Sequence, residues 1–289
     1  MRRVALAAFV LALAGCARGP APLVVASKPF TESEIVGEMI AQLAEADGVK
    51  VERRMYLGGQ VCFEGVKHGD IDLYVEYTGT GLVNILALPP SSDKDAVFKR
   101  VSVEFKKRWG LTWLPRLGFN NTYAFVVRKA DVAKYGTESG VTKAKGVRCG
   151  FDLEFADRPD GYKGLLKRVG HPFCAQLKQM ASGLMYDALA KKQVDVISGY
   201  STDGRIASLG LAVLPDDLDF FPPYEAAPLA GPKAFTKDPE LRARLEALGG
   251  RISNEEMTRL NGEVVAGKMN AREAARRFLV AKGLLGPKA

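Results

Sequence analysis

Four tyrosines and three polar side chains stand where a binding pocket would need them. Tyr77 follows the apolar run 71–75, Tyr200 follows 194–198, Tyr123 opens Tyr123–Arg128, and Tyr224 comes directly after Pro222-Pro223. Lys28 follows Leu23–Ala26, Thr80 closes Glu76-Tyr77-Thr78-Gly79-Thr80, and Arg158 lies in the loop 157–161 after the run 147–151. Several phenol rings suit a cation that has no N–H to donate. Their negative faces can surround a methylated ammonium, each for roughly 0.5 to 2 kcal/mol depending on desolvation, and a hydroxyl can anchor each ring at its rim. A carboxylate at the far end of such a molecule would need Lys28 or Arg158, with Thr80 assisting, because charge-assisted hydrogen bonds are the strong class. The chain has nine tyrosines, so any one of them alone could equally be packing at a strand end.

The elements that must position these residues alternate in type. Leu23–Ala26 reads as a short buried strand. Thr31 and Glu34 read as a capping box, opening a helix with Ile35, Val36, Met39, Ile40 and Leu43 at helical spacing and Gly48 at its end. Alternation over 49–57 predicts a strand, Gly58-Gly59 a turn into a helix over 61–68, and 71–75 another strand. Lys94–Trp109 reads as a long amphipathic helix. A second set begins with the strand Tyr123–Arg128 and continues with strands over 147–151 and 194–198 and a helix over 184–191; helices over 239–248, 254–265 and 271–281 finish the chain. This order predicts an α/β fold with mostly parallel sheets, in two units of about 100 residues each. A helical tail that returns to the first unit creates two crossings, which would act as a hinge. Residues 23–120 with 225–289 then form lobe 1, and 121–224 lobe 2. Ligands of open parallel sheets sit beyond the carboxyl ends of the strands, where most of the residues above fall.

With 47% hydrophobic and 26% charged residues in a chain of 289, the composition is that of a globular protein. The net charge of +8 is spread thinly, with no run of five basic residues, so it reads as an ordinary basic surface and no nucleic-acid partner is expected. Arg2, Arg3 and the apolar stretch 4–13, too short to span a bilayer, read as a signal segment over 1–15. Leu13-Ala14-Gly15-Cys16 is similar to a bacterial lipobox, which predicts a lipid on Cys16, a tether over 16–22 and a membrane-anchored, extracytoplasmic domain. Export would place Cys62, Cys149 and Cys174 in an oxidising compartment. One disulfide and one free thiol are then possible; the pairing stays open, with Cys149 and Cys174 favoured because they share the middle region. His68 and His171 lack ligand-spaced companions, so neither a metal nor any other cofactor is expected.

Ser27-Lys28-Pro29-Phe30-Thr31-Glu32, Leu57-Gly58-Gly59, Gly69-Asp70-Ile71-Asp72, Glu76 to Thr80, Asn121-Thr122-Tyr123, Arg158-Pro159-Asp160-Gly161 and Tyr200-Ser201-Thr202-Asp203-Gly204 follow one another in an order that resembles the ProX/OpuC-like osmoprotectant-binding family. These are glycine betaine/carnitine/choline-type substrate-binding proteins of ABC importers. The resemblance runs from about Val24 to the final helices. It implies a type II periplasmic-binding-protein fold, two α/β lobes closing on a ligand, and a separate ABC permease as partner. Carried over by motif, the cation cage is Tyr77, Tyr123, Tyr200 and Tyr224, the carboxylate partners are Lys28, Thr80 and Arg158, and backbone near Asn121 contributes to the cage. One departure stands out: Gln60 follows the paired glycines where many relatives have threonine or serine, and its longer amide could reach a different ligand group. Glu64 and Glu76 read as helix-face and strand-end residues rather than ligand contacts.

No G-x-S-x-G, Walker loop or H-E-x-x-H is present, so the expectation is a monomeric receptor and not an enzyme, although bilobed folds also carry enzymes. A DNA-binding regulator would need a helix-turn-helix, for which 1–22 leaves no room. Glycine betaine is the first expected ligand. Proline betaine, carnitine, choline and ergothioneine share its cation; a neutral amino acid is the alternative. Choline lacks the carboxylate, which favours a zwitterion.

Overall fold

The apolar run Leu23–Ala26 forms β1 and is buried along its whole length, as a central strand must be. In the computed structural model, residues 21–286 are described. The predicted signal segment, Cys16 and most of the tether lie outside them. After β1 come α1 (Thr31–Ala46), β2 (Val51–Arg54), α2 (Gly59–His68) and β3 (Leu73–Tyr77). A π-helical turn (Thr80–Ile85) leads to α3 (Lys94–Trp109) and β4 (Thr112–Trp113). The chain then runs through β5 (Tyr123–Arg128), α4 (Val132–Tyr135), α5 (Glu138–Lys143), β6 (Val147–Asp152), α6 (Leu153–Asp157) and α7 (Tyr162–Val169). It continues through β7 (Cys174–Met180), α8 (Ser182–Ala190), β8 (Val196–Tyr200), α9 (Arg205–Ser208) and β9 (Leu211–Val213). Last come β10 (Ala226–Ala230), α10 (Ala234–Lys237), α11 (Leu241–Leu248), α12 (Asn254–Val265) and α13 (Ala271–Ala281).

Local signals explain the elements that match their sequence reading. In α3, Asp93 accepts from the amides of Asp95 and Ala96, basic residues fill the last turn, and Gly110 takes the left-handed conformation that ends the helix. The capping box expected at Thr31 and Glu34 does not form. Phe30 occupies the N-cap position without a side-chain bond, and the preceding turn is tied instead by Lys28 N–H donating to Ser33 Oγ at 2.8 Å. A capping box does open α12, between Ser253 and Glu256.

The strands form two five-stranded sheets, ordered β2-β1-β3-β10-β4 and β7-β6-β8-β5-β9. Both are mixed rather than mostly parallel. In each, three parallel strands are extended by one that runs the other way, β10 against β3 and β5 against β8. The reason is topological: β5 and β10 are the strands that receive the chain as it passes from one sheet to the other. The two passing segments meet where Asn120 bridges Glu225, with Asn121 N–H donating to the Tyr224 carbonyl at 3.1 Å. The C-terminal helices α11, α12 and α13 return to pack on α1.

Cys149 of β6 and Cys174 of β7, 25 residues apart, are joined in a disulfide, and Cys62 remains a buried free thiol. Replacing both bonded cysteines with alanine should lower the unfolding free energy by about 3 kcal/mol, the loop-closure contribution for a link of this span. Urea unfolding measures this, with the m-value expected to rise because the unlinked chain exposes more surface when unfolded. An unchanged unfolding free energy would mean that the link does not restrict the unfolded chain.

Candidate functional site

The two sheets present their strand ends to one shared cleft. Tyr77 and Tyr200 are the last residues of β3 and β8, because each strand runs two residues further than its apolar pattern suggests. Tyr200 stands directly opposite Tyr123 in the β5–β8 register. Tyr224 lies on the return crossing, where its N–H donates to Asn120 Oδ1 at 2.7 Å. Gly79 is needed here: a Cβ at that position would sit 2.7 Å from the Tyr224 ring. All four tyrosines, Lys28, Thr80, Asn121 and Arg158 line a single pocket. Tyr123 is the centre of the ring set, 5.4 Å from both the Tyr200 and Tyr224 centroids. Gln60 is not part of this pocket. It is exposed on α2, donates to Glu64 Oε1 at 3.2 Å, and borders a neighbouring cavity of about 430 Å³.

Two residues of the pocket were not picked out from sequence. Phe30 stacks on Tyr200 at 5.5 Å with an interplanar angle of 17° and stands 6.0 Å from Tyr77. Glu154, on the first turn of α6, reaches across the cleft to accept from Gly59 N–H at 3.2 Å. That amide opens α2, where no side chain caps the helix, so the carboxylate meets an unsatisfied donor and the positive end of the dipole. Phe30 belongs to the stretch Ser27–Glu32, yet nothing in its local spacing marks it as facing the rings. Glu154 carries no local signal at all.

The two cations among the three expected carboxylate partners are already paired. Lys28 Nζ donates to Glu76 Oε1, and Glu76 also accepts from Tyr74 Oη at 2.8 Å and from Tyr77 N–H at 2.7 Å. Glu76 is therefore the counter-ion of the pocket lysine, whereas Glu64 is a helix-face residue paired with Lys67. Arg158 grips Asp160 through Nε at 2.8 Å and Nη2 at 2.6 Å, and Nη2 also donates to Thr80 Oγ1 at 3.3 Å. Asp160 accepts a third bond from Tyr224 Oη at 2.6 Å. The two cations face rings as well: Lys28 Nζ lies 5.2 Å from the Tyr77 centroid and the Arg158 guanidinium 5.3 Å from that of Tyr123.

Burial pushes the hydroxyls of Tyr77, Tyr200 and Tyr224 well above the ordinary phenol range, so they stay protonated. Behind the rings, Glu32 accepts from Tyr77 Oη and Asn121 Nδ2, both at 2.8 Å, from Thr202 Oγ1 at 2.5 Å and from Asn261 Nδ2 at 3.3 Å. Burial outweighs these four bonds and pushes its carboxyl up to about 7. Rings, paired ions and a shared cleft amount to a site for binding a small molecule between two bodies. Among the residues lining it, no nucleophile is set beside a general base.

Comparisons with known proteins agree. The family described as the substrate binding domain of ABC-type glycine betaine transport systems matches residues 21–281. The carnitine transport binding protein OpuCC of Listeria monocytogenes is 40% identical over 240 residues, 81% of this chain and 78% of that protein. The ergothioneine transport permease/ergothioneine binding protein EgtU of Helicobacter pylori strain G27 is 35% identical over 91% of this chain, which spans only 48% of that longer relative. A crystal structure of a glycine betaine/carnitine/choline ABC transporter protein superposes with a TM-score of 0.74 at 35% identity, covering 91% of this chain and 99% of that one. The chain therefore belongs to the family of substrate-binding domains of ABC-type glycine betaine transport systems, with its two-lobed α/β fold, and is a substrate-binding protein rather than an enzyme.

Proposed function

We propose that this protein captures a quaternary-ammonium compatible solute, glycine betaine first, and hands it to the permease of an ABC importer. Tyr77, Tyr123, Tyr200 and Tyr224, with Phe30, surround the trimethylammonium group; Lys28, Thr80 and Arg158 take the carboxylate. The observation that carries this reading is the convergence of four phenol rings, scattered from residue 77 to residue 224, on one pocket with two cations at its edge. Ring faces can hold a cation that offers no hydrogen-bond donor. The lobes 23–120 with 225–289 and 121–224 close around the ligand, and closure requires tighter binding to the closed form than to the open one. On this reading the domain works outside the cytoplasm, as a monomer held at the membrane by lipid on Cys16. Among the described residues no helix is long and apolar enough to cross a membrane.

One observation favours a second reading, a longer ligand such as ergothioneine or carnitine. The cavity of about 430 Å³ beside the cage shares Lys28, Thr80, Glu154 and Arg158 with it, so a solute could extend past the carboxylate partners toward Gln60 and Asn84. Calorimetric titration with glycine betaine, carnitine, choline, ergothioneine and glutamine decides between them. Glycine betaine is expected to bind tightest, choline more weakly for want of a carboxylate, and glutamine not at all. Tightest binding of ergothioneine would select the longer ligand. Binding of glutamine alone would sink both readings.

A further inference from the structure

Glu32 is the most heavily bonded buried carboxylate near the rings, yet it does not line the ring pocket. Its four donors come from four separate stretches of chain, 45, 89, 170 and 229 residues away. Three of those stretches carry cage rings: Tyr77 donates itself, Asn121 lies two residues before Tyr123, and Thr202 two residues after Tyr200. Glu32 in turn lies two residues after Phe30, which stacks on Tyr200. Tyr77 ends a strand of the first sheet, whereas Asn121 and Thr202 flank β5 and β8 of the second. The fourth donor, Asn261 of α12, also donates to the Thr202 carbonyl at 3.0 Å, closing the network from the C-terminal side.

We propose that Glu32 is a positioning residue for ligand capture: one buried carboxylate ties the ring-bearing segments of both sheets together, so that the cage forms only when the two bodies are held at the closed spacing. The proposal deepens the ligand reading given above and rests on it for the identity of the cage.

The chemistry favours this role over simple packing. A buried carboxyl is an expensive choice for stability, since desolvating its charged form costs several kcal/mol that its partners must offset. The network here includes no cationic side chain among its four bonds. What a carboxylate offers, and an apolar side chain cannot, is two oxygens that accept from several directions at once. Donation by Tyr77 Oη to it also makes that ring's face more negative, which strengthens its hold on a methylated cation. Glu32→Gln keeps the shape but replaces one accepting oxygen with an NH₂ group. That group must then face a pair of donors, either those of Tyr77 and Asn121 or those of Thr202 and Asn261.

Two readouts test the proposal. In titrations with glycine betaine, carnitine, choline and ergothioneine, Glu32→Gln should weaken whichever of these the parent binds by about tenfold or more, the scale of one lost bond to a charged group. Its melting temperature should stay close to the parent's. Tyr77→Phe should weaken binding alone but add less in the Glu32→Gln background than in the parent, because both act through one network. The second readout needs no ligand. Spin labels on Val103→Cys of α3 and Leu177→Cys of β7, both exposed, report the spacing of the two bodies, which Glu32→Gln should lengthen or broaden. If the parent binds none of the four solutes, the ligand reading fails, and the label distances still judge Glu32. The proposal is overturned by unchanged label distances. It is overturned equally by a Glu32→Gln affinity within about twofold of the parent's, or by additive losses in the double variant accompanied by a fall in melting temperature.

Discussion

Tyr200→Ala should weaken binding of any trimethylammonium ligand by about tenfold or more, whereas Tyr200→Phe should keep most of the affinity. The ring has neighbours on two sides, Phe30 stacked at 5.5 Å and Tyr123 at 5.4 Å. Its backbone is held independently, by the register with Tyr123 and by its N–H donating to Tyr186 Oη at 2.9 Å. Alanine therefore removes a wall of the proposed cage while the strand end stays in place. A desolvated cation–π contact contributes up to about 2 kcal/mol, and 1.4 kcal/mol is a factor of ten in affinity. Phenylalanine retains the negative face and loses only the hydroxyl. Calorimetry on the three proteins, with glycine betaine and choline in parallel, gives the comparison. An alanine variant that binds both within about twofold of the parent would remove Tyr200 from the cage.

Arg158→Ala should reduce folding stability by about 3 to 5 kcal/mol, beyond any effect on ligand. Arg158 and Asp160 are only 5% and 1% exposed, and the guanidinium supplies two of the three hydrogen bonds on the carboxylate. Truncation leaves a buried negative charge beside Tyr224 with one donor. The paired change Arg158→Met with Asp160→Asn removes both charges and should recover much of that stability, since an ion pair is less costly to replace than to break. It should not recover affinity for glycine betaine, and the loss should be far larger for betaine than for choline, which has no carboxylate to hold. Urea unfolding measures the first effect and calorimetry the second. A single variant as stable as the parent would show that Asp160 is not confined as its burial implies. Equal losses for betaine and choline in the paired variant would defeat the assignment of Arg158 to the carboxylate.

Much of the framework is legible in the sequence. The helix Lys94–Trp109 and the strand Tyr123–Arg128 have the bounds their periodicity predicts, because a cap, a C-terminal glycine and an unbroken apolar run are signals local to the chain. The strands ending at Tyr77 and Tyr200 ran two residues past their apolar patterns, since each final pair is held by a partner strand, Tyr77 by Ala226 and Tyr200 by Tyr123. Thr31 and Glu34 have the spacing of a capping box, but Ser33 ties the turn and Glu32 turns inward to accept from Tyr77 Oη. The mixed sheets followed from where the chain crosses between them, which periodicity does not encode.

The order of residues along the chain sets which side chains are on hand and roughly where: apolar runs that become strands, tyrosines and cations at their ends, and a motif order similar to that of one family. What each of those residues faces is settled by the packing of the two sheets. Glu76 became the partner of Lys28, Asp160 of Arg158, Glu154 of the α2 amide, and Glu32 of four donors as far as 229 residues away. The physical reason is range. Periodicity and capping act over a few residues and can be read along a line, whereas electrostatic pairing and ring contact depend on distance in space, which is set when the crossing segments bring two sheets together.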